Sequence, residues 1–436
     1  MVSLLFSLGA ASLATRVSAA ATSGDFNILS FNVAGLPAIL NDNAVPGDKA
    51  TNAGIIGDLF TEYVYDVINV QEDFAFHAYI YATDDHPYRT ATSGTAAIGS
   101  GLNTISNFDW IDFTRVKWDD CSDASGADCL TPKGFTFMRV IVSEGVCVDF
   151  YNVHADAGIE DADEIARASN LQQLADYIDT WSIGNSVIVF GDTNSRYTRP
   201  LDKITVFQTQ NSLTDAFVEL ERGGVNPTVE TICDNPSLIN TCETVDKVLY
   251  RGSKQLTLTG THFSYESSKF LQSDGSILSD HNPISVNFTW AVSNSLRQSG
   301  FWGGPHGAWF NDIQSIPSSP KTSVIKFSGG SRLDSVAVTL TSGATFTHGG
   351  TGGTATSLTL GSAEYWTSAK LCQAQYNSQT RNFYILATTS TGRTLASGTA
   401  TSDCTTFTAP TGYQIVGYMG QDGDEIDQLA FIYAPL

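Results

Sequence analysis

The pentapeptide Ser279-Asp280-His281-Asn282-Pro283 sets a carboxylate beside an imidazole, just ahead of the strand-like run Ile284-Ser285-Val286-Asn287-Phe288. Side chains alternate faces along a strand, so Asp280 and His281 reach one pocket only where the strand frays into a loop. Such a pair alone is more often a turn with a satisfied histidine. Other apolar runs, however, end in groups of the same kind. Phe26-Asn27-Ile28-Leu29-Ser30-Phe31-Asn32 closes on Asn32, and Val67-Ile68-Asn69-Val70-Gln71-Glu72 delivers Glu72. Cys147-Val148-Asp149-Phe150-Tyr151-Asn152-Val153-His154 ends in His154, with Asp156 just beyond. The apolar run 186–190 stops at Gly191-Asp192-Thr193-Asn194, and Thr244-Val245-Asp246-Lys247-Val248-Leu249-Tyr250 carries Asp246 near its start. Each has a plainer reading, with Glu72 capping the next helix and Asn-Asp turns as ordinary loop chemistry. Together they suit hydrolysis of a phosphate ester, which needs a cation for the phosphoryl oxygens, a base for water and stabilisation of the leaving oxygen.

The elements that must position these groups follow from periodicity. Ile55, Ile56, Leu59, Phe60 and Tyr63 predict a helix over 48–63, and a second follows over 73–81. Ile165, Ala168, Leu171, Leu174 and Ile178 predict one face of a helix over 163–181, from which Arg167 leans toward the strand ends. Phe108, Trp110, Phe113 and Trp118 read as sheet packing in preference to a membrane-dipping hairpin. Residues 25–290 thus predict an α+β sandwich of two packed β-sheets with helices outside.

Composition divides the chain. The 436 residues carry a net charge of −22, but residues 296–436 hold eight acids against seven bases, leaving 37 acids and 16 bases before them. An acidic unit is a poor partner for bulk nucleic acid or anionic membranes and a good one for a divalent cation. Residues 4–15 form a short apolar run followed by Val17-Ser18-Ala19, predicting a secretory signal over 1–19 and an extracellular protein; no later run is long enough to span a bilayer. Cysteine usage agrees, with expected pairs Cys121–Cys129, Cys233–Cys242 and Cys372–Cys404 and an odd Cys147; no CxxC spacing supports zinc. Asn287-Phe288-Thr289 is a glycosylation sequon. The expected boundaries are a catalytic unit over 20–291, a linker over 292–299 and an all-β unit over 300–436, where glycine turns separate short alternating runs. Gly349-Gly350-Thr351-Gly352-Gly353 reads as a turn, since no lysine or helix follows it.

The ordered set Ser30-Phe31-Asn32, Gln71-Glu72, Asn152-Val153-His154, Gly191-Asp192-Thr193-Asn194, Val245-Asp246-Lys247-Val248 and Ser279-Asp280-His281 resembles the endonuclease/exonuclease/phosphatase superfamily over residues 25–290. That resemblance implies a four-layer α/β-sandwich and a metal site of Glu72 helped by Asn32 and Asp280, suited to magnesium, with manganese or calcium as alternatives. It further implies His281 as general base with Asp246 fixing its tautomer, Asp192 and Asn194 positioning water and phosphate, and His154 donating to the phosphate or leaving group. The water-activating roles of Asp192 and His281 are interchangeable at this level. Residues 300–436 resemble a jacalin-type lectin, a β-prism, through Gly303-Gly304-Pro305, Trp309, Asp312, His348-Gly349-Gly350, Arg381-Asn382-Phe383 and Gly420-Gln421-Asp422-Gly423-Asp424-Glu425-Ile426-Asp427. The implied sugar site is Gly304, Asp424, Glu425, Ile426 and Asp427. The expected function is a secreted, cation-dependent phosphodiesterase of sphingomyelinase or phospholipase C-like type, acting on a lipid headgroup and held on glycans. The alternatives are a deoxyribonuclease-like endonuclease acting on nucleic acid, a phosphatase of inositol or sugar phosphates, and a glycan-binding lectin with a silent first domain. The sequence sets no oligomeric state.

Overall fold

The computed structural model describes residues 21–37, 43–93, 99–126 and 128–436. The expected signal segment, 1–19, lies outside them. Two six-stranded sheets build the first unit. Sheet one contains β1 (Ser23–Asn32), β2 (Val67–Gln71), β3 (Tyr88–Arg89) and β4 (Asn103–Ser106). Sheet two contains β5 (Trp110–Lys117), β6 (Gly134–Ser143), β7 (Val146–His154), β8 (Val187–Asp192), β9 (Thr214–Asp215) and β10 (Asp246–Arg251). With β11 (Leu256–Tyr265) and β12 (Ile284–Val292), sheet one runs β11-β12-β1-β2-β4-β3, and sheet two runs β5-β6-β7-β8-β10-β9. β1 and β2 are parallel, as are β7 and β8, so in both sheets the central strands end at one rim.

Alternation decides the layers. On β1, Phe26 and Ile28 enter the core between the sheets with Phe150, Ile188, Phe190 and Phe288. Leu29 and Phe31 point the other way, under Ile56 and Phe60 of α1 (Lys49–Tyr63), beside α2 (His77–Thr83). On β8, Val187 and Val189 face Leu171, Leu174 and Ile178 of α3 (Asp161–Trp181). The result is the expected four-layer sandwich, with Asp48 capping α1 by accepting from Thr51 N at 2.9 Å. One expectation fails on α3. Ile165 is 62% exposed, while Ala166, Arg167 and Asn170 are buried, because the helix turns its first exposed turn away from β7 and uses Arg167 as an internal brace. The aromatics behave as expected of sheet packing, with Trp118 buried and Trp110 and Phe113 against the inter-sheet core.

The second unit is all β. Its strands are β13 (Arg297–Gln298), β14 (Trp302–Gly303), β15 (Ala308–Asn311), β16 (Thr322–Gly329), β17 (Leu333–Leu340), β18 (Thr345–Gly349) and β19 (Thr354–Thr359). They continue as β20 (Trp366–Tyr376), β21 (Gln379–Thr389), β22 (Thr394–Gly398), β23 (Asp403–Thr408), β24 (Tyr413–Asp422) and β25 (Ile426–Pro435). Three sheets enclose one core around Trp366, Tyr418 and Phe431. The three expected disulfides are formed and Cys147 is free.

A polar seam joins the units at the rim where β7 begins. Arg139 donates to both oxygens of Asp149 at 2.8 and 3.0 Å, and its guanidinium lies 3.5 Å from the ring centre of Trp309 in the lectin unit. Ser182 and Asn185 also donate to Asp149, while Gln421 donates to Asp112 at 2.7 Å and Asn311 to Asn185 at 2.9 Å. Removing one partner of a buried pair leaves an uncompensated charge. Arg139→Met is expected to cost about 3–5 kcal/mol, measured by urea unfolding, and a loss below about 1 kcal/mol would show that the seam does not bear on stability.

Candidate active site and lectin site

The first site stands where β1, β2, β7 and β8 end and β10 begins. Asp192, 1% exposed, is its hub. Its Oδ2 accepts from Asn32 Nδ2 at 3.1 Å and lies 3.6 Å from His154 Nε2 and 3.7 Å from His281 Nε2; its Oδ1 accepts from Asn194 N at 2.9 Å. Asn32 also donates to Glu72 Oε1 at 3.1 Å, and that oxygen lies 3.7 Å from His154 Nε2. His281 Nδ1 pairs with Asp246 Oδ2 at 3.0 Å, as expected. The structure therefore gathers Asn32, Glu72, His154, Asp192, Asn194, Asp246 and His281. Asp280 stands at the margin, exposed and accepting from Asn43 at 3.0 Å. Ser279 Oγ donates to Asn32 O at 2.6 Å, stitching the pentapeptide to β1.

Tight backbone places Glu72. Its φ is +58°, a left-handed conformation rare outside glycine, and Ala34 and Asn194 share that region at +51° and +50°. Gly35 passes so close that a Cβ there would meet Glu72 O at 2.2 Å. Burial pushes the Glu72 and Asp246 carboxyls up. Burial would push Asp192 up too, but the positive groups around it, His281 first, outweigh it and hold the carboxyl low. For His281 burial opposes the charge, yet Asp246 and Asp192 prevail and hold it well above the usual histidine range. Burial and then Lys133 drive His154 well below that range, so its ring is neutral.

Buried Glu72 Oε2 and Asp246 Oδ1 have no hydrogen-bond partner, nor does either ring nitrogen of His154. Orphaned carboxylate oxygens beside an amide fit a hard divalent cation. Among the described residues, the Asp192, Asp246 and His281 ligand atoms also lie within 4.8 Å of one another.

Sequence reasoning missed Lys133. It is buried, ion-pairs with Asp128 and acts electrostatically on Glu72, His154 and Asp192. Its signal was a lone lysine between Pro132 and the apolar run of β6 in a strongly acidic unit. Asp156, just beyond His154, accepts from Ser122 N at 2.7 Å. Trp118 Nε1 donates to His154 O at 2.7 Å, while Arg167 pairs with Asp202 and donates to Asp156 O and Gly158 O, bracing the loops beyond β7 and β8.

The profile of Endonuclease/Exonuclease/phosphatase family 2 matches residues 42–287. The chain belongs to that family. A jacalin-like lectin domain matches residues 299–432. A Mycobacterium bovis protein named sphingomyelinase is 36% identical over 279 residues, covering 62% of this chain and 54% of its own length. The chain thus spans about half the length of the curated relatives it matches. Staphylococcus aureus beta toxin, solved with bound magnesium ions, is 15% identical, with 60% of this chain and 99% of that chain covered and a TM-score of 0.42. Malaysian banana lectin is 25% identical, covering 32% of this chain and 98% of its own, with a TM-score of 0.29.

In the jacalin-like domain, the expected sugar residues meet where β14, β21 and the β24–β25 turn converge. Gly304 N donates to Asp427 O at 3.1 Å, and a Cβ at Gly307 would fall 2.7 Å from Asp427 Oδ2. Asp427 Oδ1 is paired with Arg381 at 2.7 Å, and Glu425 accepts from Arg332 Nε at 2.6 Å. Asp424 is exposed, whereas the Ile426 side chain is buried in the prism core, leaving only its backbone to face a ligand.

The tight approach at Gly35 is testable against a neutral glycine. Gly35→Ala is expected to destabilise by about 1–3 kcal/mol, as an overpacked position does. Gly54→Ala in α1, where nothing lies within 4 Å of the added Cβ, is expected to stabilise by roughly 0.5–1 kcal/mol through helix propensity. Urea unfolding of both separates the readings; equal effects would mean that Gly35 is not constrained by Glu72.

Proposed function

We propose that the chain is a secreted, divalent-cation-dependent phosphodiesterase of sphingomyelinase type, held on glycans by its jacalin-like domain. The observation that carries the reading is the Asp192-centred cluster, in a chain 36% identical over 279 residues to proteins named sphingomyelinase. A divalent cation, magnesium first and manganese or calcium as alternatives, would be held by Glu72 with Asn32 and Asp280, and would supply charge neutralisation at the phosphoryl oxygens and a field opposing protonation of His281.

The chain's own residues do the rest. Asp246 holds Nδ1–H of His281, which directs Nε2 toward Asp192, where the pair would hold the attacking water. His281 accepts the water proton while Asp192 and Asn194 orient that water toward phosphorus. The bond from phosphorus to the lipid oxygen breaks, the departing oxygen takes a proton from solvent and His281 gives its own back to solvent, while the neutral ring of His154 donates a hydrogen bond to the phosphate or to the departing oxygen. Lys133 adds positive charge where negative charge builds. The products are a lipid alcohol and phosphocholine. Nothing in the site favours duplex DNA, and the acidic surface of the catalytic unit opposes it.

The test is turnover of sphingomyelin, phosphatidylcholine, duplex DNA and inositol polyphosphates by the purified chain, each with magnesium or with EDTA. Sphingomyelin is expected to turn over only with the cation, and His281→Ala to slow it by on the order of 10²–10⁴-fold. Cleavage of DNA alone would replace the reading with the nuclease one.

The sugar site carries a separate expectation. Burial pushes Asp427 up to about 6. Its carboxylate must be charged to accept sugar hydroxyls, so glycan binding is expected to be full at pH 7.5 and to fall away as pH drops through about 6. A glycan array read at both pH values, with Asp427→Ala as blank, checks it; binding unchanged at pH 5 removes Asp427 from the site.

A further inference from the structure

Strand β12 leaves the catalytic pentapeptide and runs away from the active-site rim, alternating between the inter-sheet core and solvent. Ile284, Val286, Phe288 and Trp290 enter the core, while Asn287, Thr289 and Ala291 are exposed on the outer face. Asn287-Phe288-Thr289 is the one Asn-X-Ser/Thr triplet of the chain without a central proline, since Asn226 and Asn235 each precede one. A period of two therefore sets the acceptor amide and the hydroxyl on the same open face, about 7 Å apart, with Phe288 anchored in the core between them. The Asn287 carbonyl accepts from Thr261 Oγ1 at 3.1 Å, but its side-chain amide has no hydrogen-bond partner among the described residues.

The surroundings are polar and open. Asn287 lies opposite Asn27 on β1 and His262 on β11, and Thr289 lies opposite Asp25 and Thr259. Thr257, Thr259 and Thr261 of β11 are exposed on the same side of the sheet. A trough of about 480 Å³ runs along this face beside Thr289, lined by Ser23, Asp25, Thr257, Thr259, Thr289 and Ala291. Hydroxyls and a carboxylate give sugar hydroxyls both donors and acceptors. They offer a protein partner no apolar patch.

We propose that Asn287 carries an N-linked glycan, set over the threonine-lined outer face of β11, β12 and β1. In the transfer, Asn287 Nδ2 forms a bond to C1 of an N-acetylglucosamine. The bond from that carbon to a lipid-linked diphosphate breaks, the diphosphate leaves with the electron pair, and the proton displaced from the amide passes to solvent. The proposal rests on the secretion in the functional reading and not on its phosphodiester chemistry, because this modification belongs to the secretory route. β11 is the edge strand of its sheet, one strand spacing of about 4.8 Å from β12, so a bulky, hydrated group at Asn287 also stands guard over an edge open to pairing with another chain.

The experiment expresses the full chain, residues 1–19 included, in a eukaryotic secretory host and collects it from the medium. Treatment with peptide-N-glycosidase in heavy-oxygen water is expected to convert Asn287 to a heavy-oxygen aspartate in most molecules, read by peptide mass spectrometry, with Asn226 and Asn235 unconverted. Asn287→Gln and, independently, Thr289→Ala are each expected to remove the glycan from the intact mass. Both positions are exposed, so neither substitution disturbs the core. Secreted chain with an unmodified Asn287, or a glycan that survives either substitution, overturns the proposal and leaves secretion standing. Chain that stays in the cell with residues 1–19 attached and no glycan overturns both.

Discussion

A buried carboxylate that has to stay charged organises this molecule. Asp192 sits at 1% exposure between the ends of two sheets, where an unpaired charge would cost several kcal/mol. It is kept by two hydrogen-bond donors from different parts of the chain, Asn32 on β1 and Asn194 N just past β8, and by the charge of His281, whose ring lies 3.7 Å away. The loop carrying His281 is in turn hydrogen-bonded to β1 through Ser279. The interaction that closes the sandwich at this rim is thus the one that assembles the chemistry. Loosening any of these donors exposes the same energetic penalty, which couples precise positioning to folding.

The space between the sheets changes character along the strands to make this possible. Near the lectin it is filled by Val140, Val142, Val146, Val148 and Val292. Toward the site it turns to amides, with Gln71 donating to Asn152 at 2.7 Å, Asn152 donating to the carbonyls of Val70 and Asn103, and Asn69 donating to those of Tyr151 and Phe190. A fully satisfied amide layer is rigid. It lets the chain hold Glu72 and Asn194 in left-handed conformations that a soft core would relax.

What could be read beforehand follows from locality. Strand ends carrying Asn32, Glu72, His154, Asp192 and Asp246 were visible because a period of two and a polar terminator lie within one short segment. Helix α1 was equally plain, whereas the face of α3 was misjudged at Ile165 because a 3.6-residue period tolerates an apolar residue one turn beyond the contact. Lys133 was missed for another reason. Its relation to Glu72, His154 and Asp192 is made by three strands meeting, and no spacing in the sequence encodes that. The same holds for the Arg139–Asp149–Trp309 seam, in which residues 160 positions apart share one stack.

That seam also decides how the two units work as one body. Asp149 and His154 occupy the same strand, five residues apart, so the lectin contact and the catalytic rim are separated by about 17 Å of β7. A short polar linker alone would let the lectin unit swing. With Arg139 pinned between Asp149 and Trp309, and Gln421 holding Asp112 next to the β24–β25 turn, that end of the prism keeps a fixed orientation to the sandwich. The lectin unit contacts the rim opposite the one where Asp192, His154 and His281 converge.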